Sequence, residues 1–183
     1  MSGVNQVTSQ ALVVKRLERS DALAYRALRL KALTIDDDCF LSSFESEKSR
    51  SESDFAYELM ASCSPPIFGY YGVFLADQLI GYAQIDTAHL AKKAHIALIF
   101  NVFVEPSHRG QHIAENLLNY LISQLKTHTQ VEQIRLSLRG SNRRAMSLYK
   151  KLGFKIWSIN KKSVKWQEKY DDEIEMCLEI KRD

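Results

Sequence analysis

Apolar residues along this chain switch between a helical and a strand-like period, and each switch marks an element. After the polar stretch 1–10, Ala11 to Leu17 forms an apolar run of strand length. Ser20-Asp21 supplies an N-cap, and Leu23, Ala27, Leu30 and Leu33 recur at helical spacing, with Arg26, Arg29 and Lys31 expected outside. Asp36 to Arg50 is polar and acidic but carries Phe40, Leu41 and Phe44, as expected of a loop that still buries part of itself. A second short helix is predicted from Ser51 to Ser62, with Phe55, Leu59 and Met60 on one face. Cys63-Ser64-Pro65-Pro66 should end it.

From Ile67 the period becomes that of strands. Two runs, IFGYYGVFLA and LIGYAQIDTA, are separated by Asp77-Gln78, and His95 to Val104 is a third. Their links are too short for crossover helices, so antiparallel pairing is expected. A helix begun near Arg109 carries an apolar stripe through Leu117, Leu121 and Leu125. Ile134 to Leu138 is a strand, and Asn142 to Lys151 a helix with Ala145, Leu148 and Leu152 inward and Gly153 as its C-cap. Phe154 to Ile159 and Ile174 to Ile180 are the last strands. No repeat or Pro/Gly/Ser linker interrupts this order. One α+β domain with a mixed central sheet is expected over residues 11–183, with 1–10 as a flexible N-terminus.

Composition narrows the class. The chain has 183 residues, 45% hydrophobic and 26% charged, enough for a sizeable core without metal or disulfide. A formal charge of +3 is too mild to argue for a nucleic-acid partner. Cys39, Cys63 and Cys177 are odd in number and widely spaced, which favours reduced thiols with buried structural roles. No leader-like h-region or membrane-length apolar run is visible, so a cytoplasmic protein without membrane association is expected.

Two strand-turn-helix junctions carry the candidate chemistry. In the first, Val102-Phe103-Val104 ends a strand, Glu105 to His108 turns, and Arg109-Gly110-Gln111-His112-Ile113-Ala114 opens a helix. The first N–H groups of a helix lack intrahelical partners and face the positive end of the dipole, so a phosphate is their natural ligand. The second junction, Leu136 to Phe154, repeats the plan. Asn142 stands where an N-cap belongs or where an amide could contact a ligand across the turn. Tyr149 follows two helical turns later on about the same side, as a boundary tyrosine or a functional one.

These two junctions resemble the GNAT family of N-acetyltransferases. The matching residues are Val102-Phe103-Val104 with Pro106, then Arg109 to Ala114 against Q/R-x-x-G-x-G/A, then Asn142, Ala145, Leu148-Tyr149 and Gly153-Phe154 against N-x-x-A-x-x-L-Y-x-x-x-G-F. ALRLKAL, CFLSSFESE and YDDEIEMCLEI also look like members that acetylate small amines or metabolites. The resemblance implies a mainly antiparallel sheet of about seven strands flanked by about four helices. It further implies acetyl-CoA as cosubstrate and an amine acceptor, and it allows a homodimer. The backbone of Val102, Phe103 and Val104 would hold the pantetheine arm and stabilise the oxyanion. The amides of Arg109, Gly110, Gln111, His112, Ile113 and Ala114 would bind the pyrophosphate, Asn142 would contact the arm, and Tyr149 would protonate the leaving thiolate.

One departure from the pattern is His112, which stands at the family's middle glycine, so the direction of its imidazole bears on cofactor affinity. A second is the missing base. Leu98, Ile99 and Phe100 occupy the run where some relatives carry Glu, leaving only Asn101 polar, so a water chain or a residue of the front half must take the amine's proton. Together these leave a non-catalytic acyl-CoA-binding module as the alternative. Histidines 108 and 112, with 89 and 95 upstream, make a poor metal set, and no metal is expected. Arg139, Arg143, Arg144, Lys150 and Lys151 form a solvated face or attract the CoA 3′-phosphate. Asp36 to Asp38, Glu45, Glu47 and Glu52 fall where the family builds its acceptor pocket; a cationic acceptor would suit them, unless they are simply solvated.

Overall fold

Seven strands form one sheet in the computed structural model, which describes residues 11–61, 67–87, 90–127 and 130–181. In chain order they are β1 (Leu12–Arg16), β2 (Gly69–Leu75), β3 (Gln78–Thr87), β4 (Ile96–Val104), β5 (Gln133–Arg139), β6 (Lys155–Trp166) and β7 (Lys169–Glu179). The spatial order is β1-β2-β3-β4-β5-β7-β6. Every neighbouring pair is antiparallel except β4 and β5, which run parallel. That single parallel junction is short. Ile96, Ala97 and Leu98 pair with Gln133, Ile134 and Arg135, and beyond them the two strands part. The sheet therefore opens into a cleft between its two halves.

Helices α1 (Ala22–Ile35), α2 (Phe44–Glu47), α3 (Glu52–Ala61), α4 (Ile113–Thr127) and α5 (Arg143–Lys151) complete the fold. On one face Leu117, Leu118, Leu121 and Leu125 of α4 join Ile85, Ile99, Ile134 and Met176 of the sheet. On the other, Tyr25 and Leu28 of α1 and Phe55 and Leu59 of α3 cover Tyr70, Phe74, Tyr82 and Phe103. Strand-period residues thus supply two faces, and each amphipathic helix closes one.

Several elements differ from the sequence expectation. The buried stripe of α1 is Ala22, Tyr25, Leu28, Arg29, Ala32 and Leu33, whereas Leu23 is 62% exposed. The helix is rotated because Tyr25 packs among Phe55, Tyr70 and Tyr82, and because Arg29 finds a carboxylate partner inside. Met60 is exposed, leaving Phe55 and Leu59 to anchor α3. The acidic loop contains the single turn α2, started by the Ser43 side chain accepting from the Ser46 N–H at 3.2 Å. Strands β6 and β7 run well past Ile159 and before Ile174 as a long hairpin, turned by Gln167 and Glu168 at φ of 47° and 63°. Its charged, exposed positions hide the period that would reveal it. The 1–10 terminus and the 63–66 helix stop lie outside the described residues.

Candidate active site

The cleft runs where β4 and β5 separate, and β4 is deformed at that point. Tyr82 pairs with Phe103 but Gln84 pairs with Phe100, so β4 carries one residue more than β3 between them. Asn101, at φ 52°, is left-handed within this bulge. Side chains around the bulge are shared between the two faces: Phe103 is buried against Tyr82, while Val102 and Val104 line the cleft.

Three adjoining cavities follow the cleft and share walls. The central one, about 200 Å³, has Val102 and Val104 on one side and Asn142, Ala145 and Tyr149 on the other. Toward the start of α4 it passes into a cavity of about 190 Å³ bordered by Gly110, Ile113, Ala114 and Arg144. In the other direction, past Tyr149, it meets a cavity of about 170 Å³ bordered by Phe40, Ser42, Asn101, Ser137 and Arg139. Asn142, Ala145 and Tyr149 stand at the junction.

The turn before α4 is tighter than the sequence suggests. Pro106–His108 is a single 3-10 turn, Gly110 and His112 are both left-handed at φ of 81° and 58°, and the helix starts at Ile113 rather than near Arg109. A Cβ on Gly110 would meet nothing within 4 Å. His112 points outward. Its side chain is 71% exposed and its Nδ1 lies 2.9 Å from the Glu115 carboxylate, which also accepts from Lys151 Nζ at 2.7 Å. Gln111 is exposed, Ile113 is buried in the core, and Ala114 faces the cleft. Arg109 does not project freely either: its Nε donates to the Val104 carbonyl at 2.9 Å and its guanidinium pairs with Asp36.

Across the cleft, Asn142 serves as an N-cap and still borders the cavities. Its Oδ1 accepts from the Ala145 N–H at 3.0 Å, and its Nδ2 reaches Cys39 Sγ at 3.4 Å. Tyr149 is 7% exposed, with its ring edge-on to Phe154 at 5.9 Å. Burial, reinforced by nearby Cys39, pushes its hydroxyl well above the ordinary tyrosine value. Cys39 was expected to be buried but is exposed on the cleft wall, where burial of the sulfur and the neighbouring Asp38 push its thiol up to about 12.

Three residues on the cleft lie outside the residues matched to the two motifs. Asp36, read only as part of an acidic cluster, and Cys39, read as a buried thiol, arrive from the loop after α1. Arg144, from the basic cluster, lines both the central and the α4-side cavities and makes no ion pair among the described residues. Its position two residues after the N-cap was the available signal. The rest of that cluster is partly committed, since Arg139 pairs with Asp171 and Lys151 with Glu115. Four carboxylates of the acidic loop are also paired, three of them with arginines of other elements. Asp36 pairs with Arg109, Asp38 with Arg139, Glu45 with Lys48, and Glu47 with Arg29. His108 Nδ1 meets Ser107 instead of His112, and among the described residues no three His, Cys, Asp or Glu side chains gather as a metal site. No helix among them is long and apolar enough to cross a membrane.

A sheet splayed at one parallel junction, a bulged β4, and a helix start facing α5 across the gap are the architecture that the resemblance implied. Residues 31–154 match the acetyltransferase (GNAT) family. The chain belongs to that family. It is 33% identical over 84 residues, 46% of its length, to the ribosomal protein bS18-alanine N-acetyltransferase of Salmonella typhimurium, and the match covers 56% of that protein. The chain thus spans little more than half the length of the curated relatives it matches. A GNAT acetyltransferase from Streptococcus pneumoniae superposes with a TM-score of 0.83 at 19% identity, over 93% of this chain and 100% of that one. A putative acetyltransferase from Salmonella typhimurium, solved with its cofactor acetyl-CoA, superposes at 0.81 with 14% identity over 94% and 96%.

Proposed function

We propose that this protein transfers an acetyl group from acetyl-CoA to an α-amine, by direct attack in a ternary complex. The observation that carries the reading is the continuous cleft, with Tyr149 where its cofactor-side and acceptor-side cavities meet. The chain offers a fit at each part of the cosubstrate. The α4 start, with space beside Gly110, suits the pyrophosphate. The strand edge of Val102 and Val104 suits the pantetheine arm, and Arg144, which makes no ion pair among the described residues, suits a further phosphate. Acetyl-CoA supplies the activated acyl group. Backbone N–H groups at Phe103 and Val104 stabilise charge on the carbonyl oxygen, the C–N bond forms as the C–S bond breaks, and the Tyr149 hydroxyl gives its proton to the departing sulfur; the proton shed by the amine nitrogen passes to cleft water, from which Tyr149 is reprotonated.

The acceptor class follows from proton balance. Among the described residues no carboxylate lines the acceptor-side cavity, and Asp36, Asp38 and Glu47 of the neighbouring loop are each paired with an arginine. A lysine or polyamine nitrogen, with a pKa near 10.4, is neutral in only about one molecule in 2,500 at pH 7. An α-amine, with a pKa of about 7.8, is neutral in roughly one in seven and can react without a strong base. The acceptor is therefore a peptide N-terminus or a similar α-amine, rather than the small amines suggested by the resemblance at the chain's ends. A side chain as small as alanine, which the matched relatives carry in their name, suits a cavity of about 170 Å³. The non-catalytic alternative loses the support of His112, whose ring is turned outward to Glu115.

Release of CoA thiol from acetyl-CoA tests this with an alanine-ended peptide, the same peptide N-blocked but carrying lysine, and spermidine. Turnover should depend on the free α-amine. Faster turnover with spermidine or lysine would overturn the acceptor class, and none with any amine would overturn the enzyme. Gly110→Glu should abolish cosubstrate binding while the fold persists, because it places a carboxylate where the phosphates would lie.

A further inference from the structure

Arg29 is an arginine with 4% exposure on a helix expected to turn it to solvent. Its Nε and Nη2 donate to the two Glu47 carboxylate oxygens at 3.1 and 2.8 Å, a bidentate pair that joins α1 to α2. Its remaining nitrogen, Nη1, donates to Asn101 Oδ1 at 3.2 Å, and Asn101 Nδ2 donates in turn to Gln84 Oε1 at 2.9 Å. Asn101 is the left-handed residue of the β4 bulge. Both faces of its amide are thus held, one from α1 and one from β3. The guanidinium also lies 5.0 Å from the centre of the Phe40 ring, on the acceptor side of the cleft.

A left-handed asparagine beside a two-residue bulge is a conformation that costs energy and persists only where its surroundings fix it. Anchoring α1 to α2 requires only the ion pair; it does not require the third bond. That bond ends on the residue just before Val102, Phe103 and Val104, whose backbone the proposed transfer uses. We propose that the Arg29–Glu47 pair is a positioning device. Acting through the Asn101 side chain, it fixes the β4 bulge and so aims the N–H groups that stabilise the acetyl carbonyl. The inference rests on the acetyl-transfer reading for its kinetic consequence, but not for its structural one.

Two variants separate positioning from folding. Arg29→Met with Glu47→Leu removes the pair without leaving a buried charge, a replacement that proteins often tolerate with no loss of stability. Asn101→Gly keeps the ion pair and the left-handed backbone but cuts the tether. Both should lower kcat about tenfold or more, equally for every acceptor, while the KM for acetyl-CoA stays within about threefold. In both, amide exchange at Asn101, Val102 and Phe103 should accelerate at least about tenfold, with Ile96 to Ile99 unchanged. Unchanged exchange at the bulge in either variant overturns the proposal, as does a loss confined to KM. If the wild-type protein acetylates no amine, the enzyme reading fails alone, and the exchange measurement still decides whether the tether holds the bulge.

Discussion

In the proposed transfer Tyr149 acts through its proton, and its surroundings hold that proton. Burial raises the hydroxyl above its ordinary value of 10, and Cys39 adds to the effect. A raised pKa keeps the acid form populated to higher pH, so Tyr149 should impose no descending limb on kcat/KM below about pH 10. The ascending limb should follow the acceptor α-amine near about pH 8. A fall beginning below about pH 10 would assign the acid to another group. Tyr149→Phe should cost about 10²-fold in kcat while CoA affinity, measured by calorimetry, stays the same. His112 carries a different expectation. Its φ of 58° lies where glycine is at ease, and its side chain meets Glu115 at the surface. His112→Gly should therefore raise stability by about 1 kcal/mol in denaturant unfolding, with turnover unchanged. An asparagine can cap a helix and face a cleft at once: Asn142 caps α5 as one sequence reading had it, and its place on the cleft wall keeps its amide within reach of the proposed cofactor contact. Asp36 was legible only as one of an acidic cluster and Cys39 only as a thiol, because their contacts arise from where the loop lands.

The elements were legible wherever one face is buried and the other is not. The period of α4, the strand runs of β2 to β4 and the order of the second half follow directly from apolar spacing. The face of α1 was not legible, since an arginine is read as outward unless its partner is known, and Glu47 lies 18 residues away. The same pair has a pH signature. Burial raises the Glu47 carboxyl, but the hydrogen bonds and charge of Arg29 outweigh it and leave the group below its ordinary 4.5. Its stabilising contribution is complete above that value and disappears as the pH falls through the lower folded one. Thermal unfolding between about pH 3 and 6 should thus be less steeply pH-dependent in the Arg29→Met, Glu47→Leu variant than in the wild type. Strand β3 supplies a second test. A Cβ on Gly81 would sit 2.9 Å from the Phe103 carbonyl oxygen, a backbone atom that cannot swing aside. Gly81→Ala should destabilise by about 1–3 kcal/mol and slow turnover, because β4 itself must shift. At Gly72 the crowding atoms are side-chain ends of Leu79, Leu17 and Phe74, which can move.

At the scale of the molecule, the two halves of the sheet meet through three residue pairs between β4 and β5, and the loop after α1 bridges the gap they leave. Asp36 grips Arg109 on the β4 side, while Asp38 and Cys39 reach Arg139 and Asn142 on the β5 side. The bridge is made of partly exposed ion pairs, with side chains about a quarter exposed at Arg109 and Asp36, and such pairs contribute roughly 0.2–1 kcal/mol each. It can therefore be exchanged for a ligand at little cost. In the proposed binding mode an anionic cosubstrate entering along α4 would bring phosphates toward Arg109, and Asp36 would compete with them for the same guanidinium. Asp36→Asn removes the competing charge but preserves the side chain's size. It should lower the KM for acetyl-CoA by about 1.5- to 5-fold, the range that corresponds to one such pair, with kcat little changed. The gain should shrink as salt is added and both versions lose their electrostatic attraction. A higher KM in Asp36→Asn would mean that the bridge shapes the cleft for the cosubstrate, and that Arg109 needs Asp36 to stay on the Val104 carbonyl.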